Sequence, residues 1–139
     1  MAGYVIFLNG VPVAWSARKL KIVPLSSCEA ETAAGCNASK ALLFVRTLLN
    51  FMGAVVPVPI AMYTDNEATR IAVRNPGATQ RTRFFEMWMT ALRKLQLERV
   101  IDVQWVATTE MIADIFTKPL DKTAFLKHRA WLVFDPRKA

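Results

Sequence analysis

Leu25-Ser-Ser-Cys-Glu-Ala-Glu31 is where the sequence changes period, and its reading decides the fold. Upstream, residues 3–8, 11–16 and 22–25 are rich in β-branched and aromatic side chains, as strands are. Asn9-Gly10 is a two-residue hairpin signal between the first two. Pro24 removes a ladder donor, which assigns the third piece to an edge. Downstream, apolar residues recur with the helical period at Ala30, Ala33, Ala34, Ala38, Ala41, Leu42, Val45, Leu48, Leu49 and Met52. That spacing predicts a helix of about seven turns with one wide buried face. Ser26 or Ser27 caps it, Glu29 and Glu31 suit the positive end of its dipole, and Gly53 ends it. Phe44 and Phe51 fall off the stripe and are free to meet a partner.

Further along, Pro57 and Pro59 lead into a strand at residues 60–64, and Asp65-Asn66 turns into a helix over 67–74. Asn75-Pro-Gly77 is a break. A helix follows over about 79–97, with Phe85, Trp88, Met89, Leu92 and Leu95 on its apolar side. Residues 100–106 alternate as a strand. Thr108 or Thr109 caps a short helix through Asp114, stopped at Lys118-Pro119, and residues 123–132 form a last helix carrying Lys127, His128 and Arg129. The order is β-β-β-α-β-α-α-β-α-α. It predicts an α/β fold in one domain over residues 1–139: a mixed sheet flanked by helices.

A hydrophobic content of 53% is enough for a core. The formal charge of +7 is uneven: residues 1–69 hold five Lys/Arg against four Asp/Glu, residues 70–139 thirteen against seven. A basic second half favours a polyanionic partner, nucleic acid first among them, while the plainer reading is a solvated surface. Cys28 and Cys36, eight residues apart on one helix, lie about 12 Å apart, too far for a disulfide. They place the chain inside the cell in a reducing compartment and serve packing. No apolar run reaches transmembrane length, and no basic residue precedes residues 4–8, so neither a membrane span nor a secretory signal is expected.

Three acids stand at element boundaries: Glu31 at the start of the long helix, Asp65 at the end of a strand, and Asp114 on a short helix. Carboxylates at strand ends and helix starts can converge at one sheet edge, an arrangement suited to divalent metals and phosphoryl transfer. Each also has a local reading: Glu31 as a helix-dipole acid, Asp65 as an N-cap, Asp114 as a surface acid. Glu29 lies about 200° round the helix from Glu31 and is expected in solvent. Asp102, inside a strand pattern, and His128, on a basic helix, are also expected at the surface. Phe44, Phe51, Phe84, Trp131 and Phe134 suggest a protein interface.

In their order these residues resemble the ribonuclease H domain of Ty1/copia-type retrotransposon polyproteins. The likeness runs almost the whole length of the chain. It rests on Gly3-Tyr-Val-Ile-Phe-Leu-Asn-Gly10 followed by Trp15-Ser16, on Leu25-Ser-Ser-Cys-Glu-Ala-Glu31, on Tyr63-Thr-Asp-Asn66, on Arg81-Thr-Arg83, and on Ala113-Asp-Ile-Phe-Thr-Lys-Pro-Leu120. Each motif alone is weak; together, in order, they are specific. The resemblance implies a ribonuclease H fold and a four-carboxylate site for two magnesium ions that hydrolyses the RNA strand of an RNA/DNA hybrid. It assigns Glu31, Asp65 and Asp114 as catalytic metal ligands. Arg81 and Arg83, with Arg70 and Arg74, are then candidates for nucleic-acid phosphates.

The family's first aspartate stands on a strand upstream of the Gly-Tyr block, whereas this sequence opens at Met1-Ala-Gly3-Tyr4. The expectation is a truncated ribonuclease H-like domain whose first, central strand is absent. A site short of its bridging carboxylate is expected to be impaired. A protein partner is expected to complete or cover the sheet by strand addition. Thr32, Phe84 and Ala107 stand where the family has Tyr, His and Pro. The leading expectation is therefore a domesticated domain that binds RNA or protein within a larger complex, not an enzyme; its charge suits a ribonucleoprotein such as an organellar ribosome. The alternatives are an active Mg²⁺-dependent ribonuclease H within a retrotransposon polyprotein and an accessory subunit of a complex without nucleic acid.

Overall fold

A computed structural model describes residues 1–21, 24, 26–75 and 83–133, and of residues 83 and 84 the backbone alone. β1 (Ala2–Leu8) and β2 (Val11–Arg18) form an antiparallel hairpin. Asn9 and Gly10 turn it at φ 50° and 80°, the pair of positive values that a two-residue hairpin of matching twist requires. The register shifts between Ile6 and Phe7, a bulge near the turn. The expected third strand piece falls on residues 22, 23 and 25, outside the described residues.

α1 (Ser27–Phe51) is the spine of the molecule. Ser26 is its N-cap, its hydroxyl accepting from the Glu29 N–H at 3.2 Å. β3 (Ile60–Thr64) follows, then α2 (Glu67–Arg74), α3 (Arg83–Leu97) and β4 (Ile101–Trp105). β3 and β4 pair in parallel, joined by a crossover through α2 and α3. The start expected for α3 near Thr79 lies outside the described residues. The short helix expected after Thr108 is instead two 3-10 turns, Thr108–Glu110 and Ile112–Phe116, with no side-chain cap on either. α4 (Lys122–Leu132) is capped by Asp121, whose carboxylate accepts from Thr123 and Ala124 N–H at 2.8 and 2.9 Å.

The architecture is α/β, with two small sheets, β1–β2 and β3–β4, and four helices. The core lies between α1, α3 and the inner face of β3–β4. Val73, Phe85, Met89, Leu92, Ile101 and Val103 are each at most 3% exposed, and Cys28 joins them from α1. Among the described residues no strand bridges the two sheets, so the expected mixed sheet is split where its middle strand would lie. Both cysteines are free, as their spacing requires, and both are buried.

Two surface expectations are overturned. Glu29 is buried, at 6% exposure, beside the buried Cys28, Thr32 and Ala33 of the same helix. His128 is buried, at 3%, because α4 packs back on the second 3-10 turn and on β2. Asp102 is half-buried rather than fully exposed, held by Arg74, Gln96 and Gln104.

Candidate functional site: three carboxylates around Lys118

Asp65 follows the last residue of β3. The N-cap of α2 is its neighbour Asn66, whose side-chain oxygen accepts from Thr69 N–H at 3.1 Å. Asp65 is thereby released from capping, and its side chain is only 12% exposed. The Trp105 indole N–H donates to the Asp65 carbonyl at 3.2 Å, tying the end of β4 to the same point.

Asp114 reaches the site from the second 3-10 turn and is 7% exposed. Its carbonyl accepts from the N–H groups of Thr117 and Lys118, both at 3.0 Å, folding the chain back on itself. Gly3 makes this approach possible. A Cβ at that position would lie 2.7 Å from Thr117 Cγ2 and 2.9 Å from Phe116 Cβ, so a larger residue would force β1 or the turn to shift. The Gly-Tyr block and the terminal signature are thus in direct contact.

Glu31 is half-buried one turn into α1. Its carboxyl is held above its ordinary value of 4.5, first by burial and then by the charge of Asp65, with Lys118 opposing and Asp114 adding to the rise. Three acids distant in sequence therefore share one electrostatic neighbourhood. Their common neighbour is Lys118, whose ammonium donates to Asp114 Oδ2 at 3.0 Å and lies 4.0 Å from Asp65 Oδ2. Burial acts to lower the Lys118 pKa. The hydrogen bond to Asp114 and the charges of Asp114, Asp65 and Glu31 outweigh it, so the net shift is upward.

The carboxylates converge without closing into a ligand set. Among the described residues no three His, Cys, Asp or Glu side chains are placed to hold a metal ion. A divalent ion needs several oxygens near 2.0–2.6 Å; here an ammonium lies between two of the acids. The residues as arranged do not fit magnesium. They fit a single charge-assisted lysine contact with two further carboxylates nearby.

Two of the four arginines proposed for phosphate contact, Arg70 and Arg74, hold protein partners. Arg70 pairs with Glu67 through its Nε at 2.7 Å and through a second guanidinium nitrogen. Arg74 donates to Asp102 Oδ1 at 2.7 Å and to the Val103 carbonyl at 3.0 Å, fastening α2 to β4. Both border a shallow basin with Gln104 and Trp105. Arg81 lies outside the described residues; Arg83 opens α3, and its side chain is not among those described.

Sequence reasoning used Lys118 as a helix stop and as part of the terminal motif, and gave it no role at the site. The signal was present: Asp114 and Lys118 have the i,i+4 spacing at which an acid and a lysine meet on one helical face.

Glu31, Asp114 and Lys118 line a cleft of about 630 Å³. β1 forms one side, β3 the other, and α1 the base.

The chain is 32% identical over 123 residues, 88% of its length, to the retrovirus-related Pol polyproteins from transposons RE1 and RE2 of Arabidopsis thaliana. It is 24% identical over 123 residues, 88% of its length, to that from transposon TNT 1-94 of Nicotiana tabacum. It covers only 8 to 9% of the length of these polyproteins. No family model and no solved structure matches the chain.

Proposed function

We propose that this chain is a ribonuclease H-like domain of retrotransposon Pol descent that does not cleave by itself and works as a protein-binding subunit. The observation that carries this reading is Lys118. Its ammonium lies between Asp114 and Asp65, where a nuclease of this type would need a divalent cation. Arg70 and Arg74, engaged with Glu67, Asp102 and a backbone carbonyl, leave little free charge on that face for phosphate. Exposed Phe44, Phe51 and Trp131 supply apolar surface of the kind that partners cover.

The test is hydrolysis of a labelled RNA/DNA hybrid with magnesium by the purified chain. The reading expects no cleavage above that of Asp65→Asn, and no binding of RNA that weakens steeply with salt. Cleavage abolished by Asp65→Asn overturns it.

A second reading has its own support. Glu31, Asp65 and Asp114 share a neighbourhood despite their distance in sequence. On that reading the domain is a ribonuclease H completed by one more carboxylate from elsewhere. Hybrid cleavage that appears only when a strand carrying an aspartate is added would favour it.

A further inference from the structure

Over its second half α1 is apolar on its outer side as well as its inner side. Gly35 and Leu42 face inward, Gly35 against Leu92 and Met62. On the opposite side Phe44, Leu48 and Phe51 recur at the i, i+4, i+7 spacing of one helical face, and they are 69, 48 and 89% exposed. Met52 and Val55, just past the end of the helix, are exposed too. A helix that is apolar all round is a buried helix, and a contiguous exposed apolar patch of several hundred Å² marks an interaction site. Thr47 stands one turn from each ring, and its hydroxyl donates to the Leu43 carbonyl of its own helix at 2.9 Å. Covering it therefore leaves no donor unpaired.

The size and charge of this face decide what covers it. Phe44, Leu48, Phe51, Met52 and Val55 leave on the order of 500 Å² of apolar side chain in water. A standard interface buries about 800 Å² per partner, about 65% of it apolar in homodimers, so this face matches one symmetric contact. No acid stands between Glu31 and Asp65, and the charged residues of α1 after Glu31 are Lys40 and Arg46. Arg46 is half-buried on the side of the helix away from Phe44, which leaves Lys40 as the charge on the outer face of α1. A surface so nearly neutral offers little to an acidic partner and little repulsion to its own copy. Lys40 also sets the orientation. Two copies of α1 side by side in the same sense would oppose Lys40 to Lys40. In opposite senses, with Phe44 of each against Phe51 of the other, the two lysines stand about 22 Å apart along the helix, beyond a screening length of about 8 Å. Ala33, further up the same stripe, is 2% exposed, so that end is already covered; the helix of the other copy ends at Phe51, opposite Phe44, and stops short of it.

We propose that the outer face of α1 is the interface of a symmetric homodimer. The two helices run antiparallel across the two-fold axis. Phe44 of each copy packs on Phe51 of the other, and Thr47 and Leu48 meet at the centre. The alternating spacing of four and three residues suits helices that cross at about 20°. Every contact occurs twice, as a two-fold axis requires, so one pair of rings is repeated at both ends of the seam. The proposal rests on the reading that the chain works through a protein partner, and it names that partner as a second copy of the chain.

The test is sedimentation equilibrium of the purified chain and of two variants, Phe44→Lys and Phe51→Asp. The parent chain is expected to be a dimer at micromolar concentration. Each variant is expected to associate at least tenfold more weakly. Both side chains are exposed within one copy, so neither substitution is expected to lower the Tm of the monomer. Mixed in equal amounts, the two variants are expected to associate again. In the antiparallel register the introduced lysine meets the introduced aspartate, and the second contact keeps both phenylalanines. A parent chain that is monomeric at hundreds of micromolar overturns the proposal, and so does a dimer that Phe51→Asp leaves unchanged. A dimer that each variant breaks and their mixture does not restore overturns the antiparallel register. A monomer that binds phosphatidylserine vesicles, and loses that binding in Phe51→Asp, makes the occupant a lipid surface and overturns the dimer. Hybrid cleavage by a dimeric chain would contradict the functional reading and leave the dimer standing. A monomer without cleavage would do the reverse.

Discussion

β3–β4 and β1–β2 are both two-stranded sheets, but they are held in the molecule by different means. β3–β4 contributes Ile101 and Val103 to a core closed by α1 and α3, with Leu92 at 1% exposure against them. β1–β2 contributes no residue to that core. Its only fully buried side chain is Ala2, while Val11, Val13 and Trp15 are exposed. It is attached by β1 resting on α1 and on the second 3-10 turn, and by α4 packing on β2. A two-stranded ribbon is marginal alone. The comparison teaches that the fold's stability is concentrated on one side of the cleft.

The sharpest way to test that division is to damage each side separately. Leu92→Ala empties a fully buried site and is expected to cost about 2–5 kcal/mol in chemical denaturation, lowering the whole transition. Ser26→Ala removes the cap of α1, the helix that both sheets share, and should cost about 1 kcal/mol by the same measurement. Gly10→Ala forces a side chain into φ 80° in the hairpin turn. It is expected to cost about 1 kcal/mol, and to speed amide exchange in β1 and β2 while leaving β3 and β4 unchanged.

Smaller effects probe the seam. Burial, with the charges of Asp65 and Asp114, raises the Glu31 pKa. An acid with a raised folded pKa keeps its proton longer in the folded chain. Its contribution to stability is therefore full below the ordinary 4.5 and is lost as pH rises through the folded value. Glu31→Gln removes that loss, so its Tm advantage over the parent should widen as pH rises from about 4 to about 7. Val13→Thr, on the exposed face of β2, should change stability by less than about 0.5 kcal/mol. A larger cost there would mean that the ribbon is packed after all.

How much of this was legible in the sequence follows from how local each signal is. The Asn9-Gly10 turn, the Ser26 cap and the 25-residue α1 are set by neighbouring residues, and they stand where pattern and propensity place them. The contact of Gly3 with Thr117 joins residues at opposite ends of the chain, and spacing alone could not supply it. The burial of Glu29 and His128 was misjudged for the same reason: both lie on helices whose polar residues look solvated until other elements are packed against them. The carboxylates were legible as candidates. Their shared lysine was visible as an i,i+4 pair with Asp114, and its reach to Asp65 was not.

The most direct test of the open strand position is amide hydrogen exchange, residue by residue, along β3 in the isolated chain. Ile60 and Thr64 turn their backbone groups to β4, and Ala61 and Tyr63 turn theirs to the cleft. Exchange at Ala61 and Tyr63 faster than at Ile60 and Thr64 by on the order of 100-fold is the predicted result. Equal protection at all four positions in a monomer would mean that the cleft is already closed, and would contradict the account.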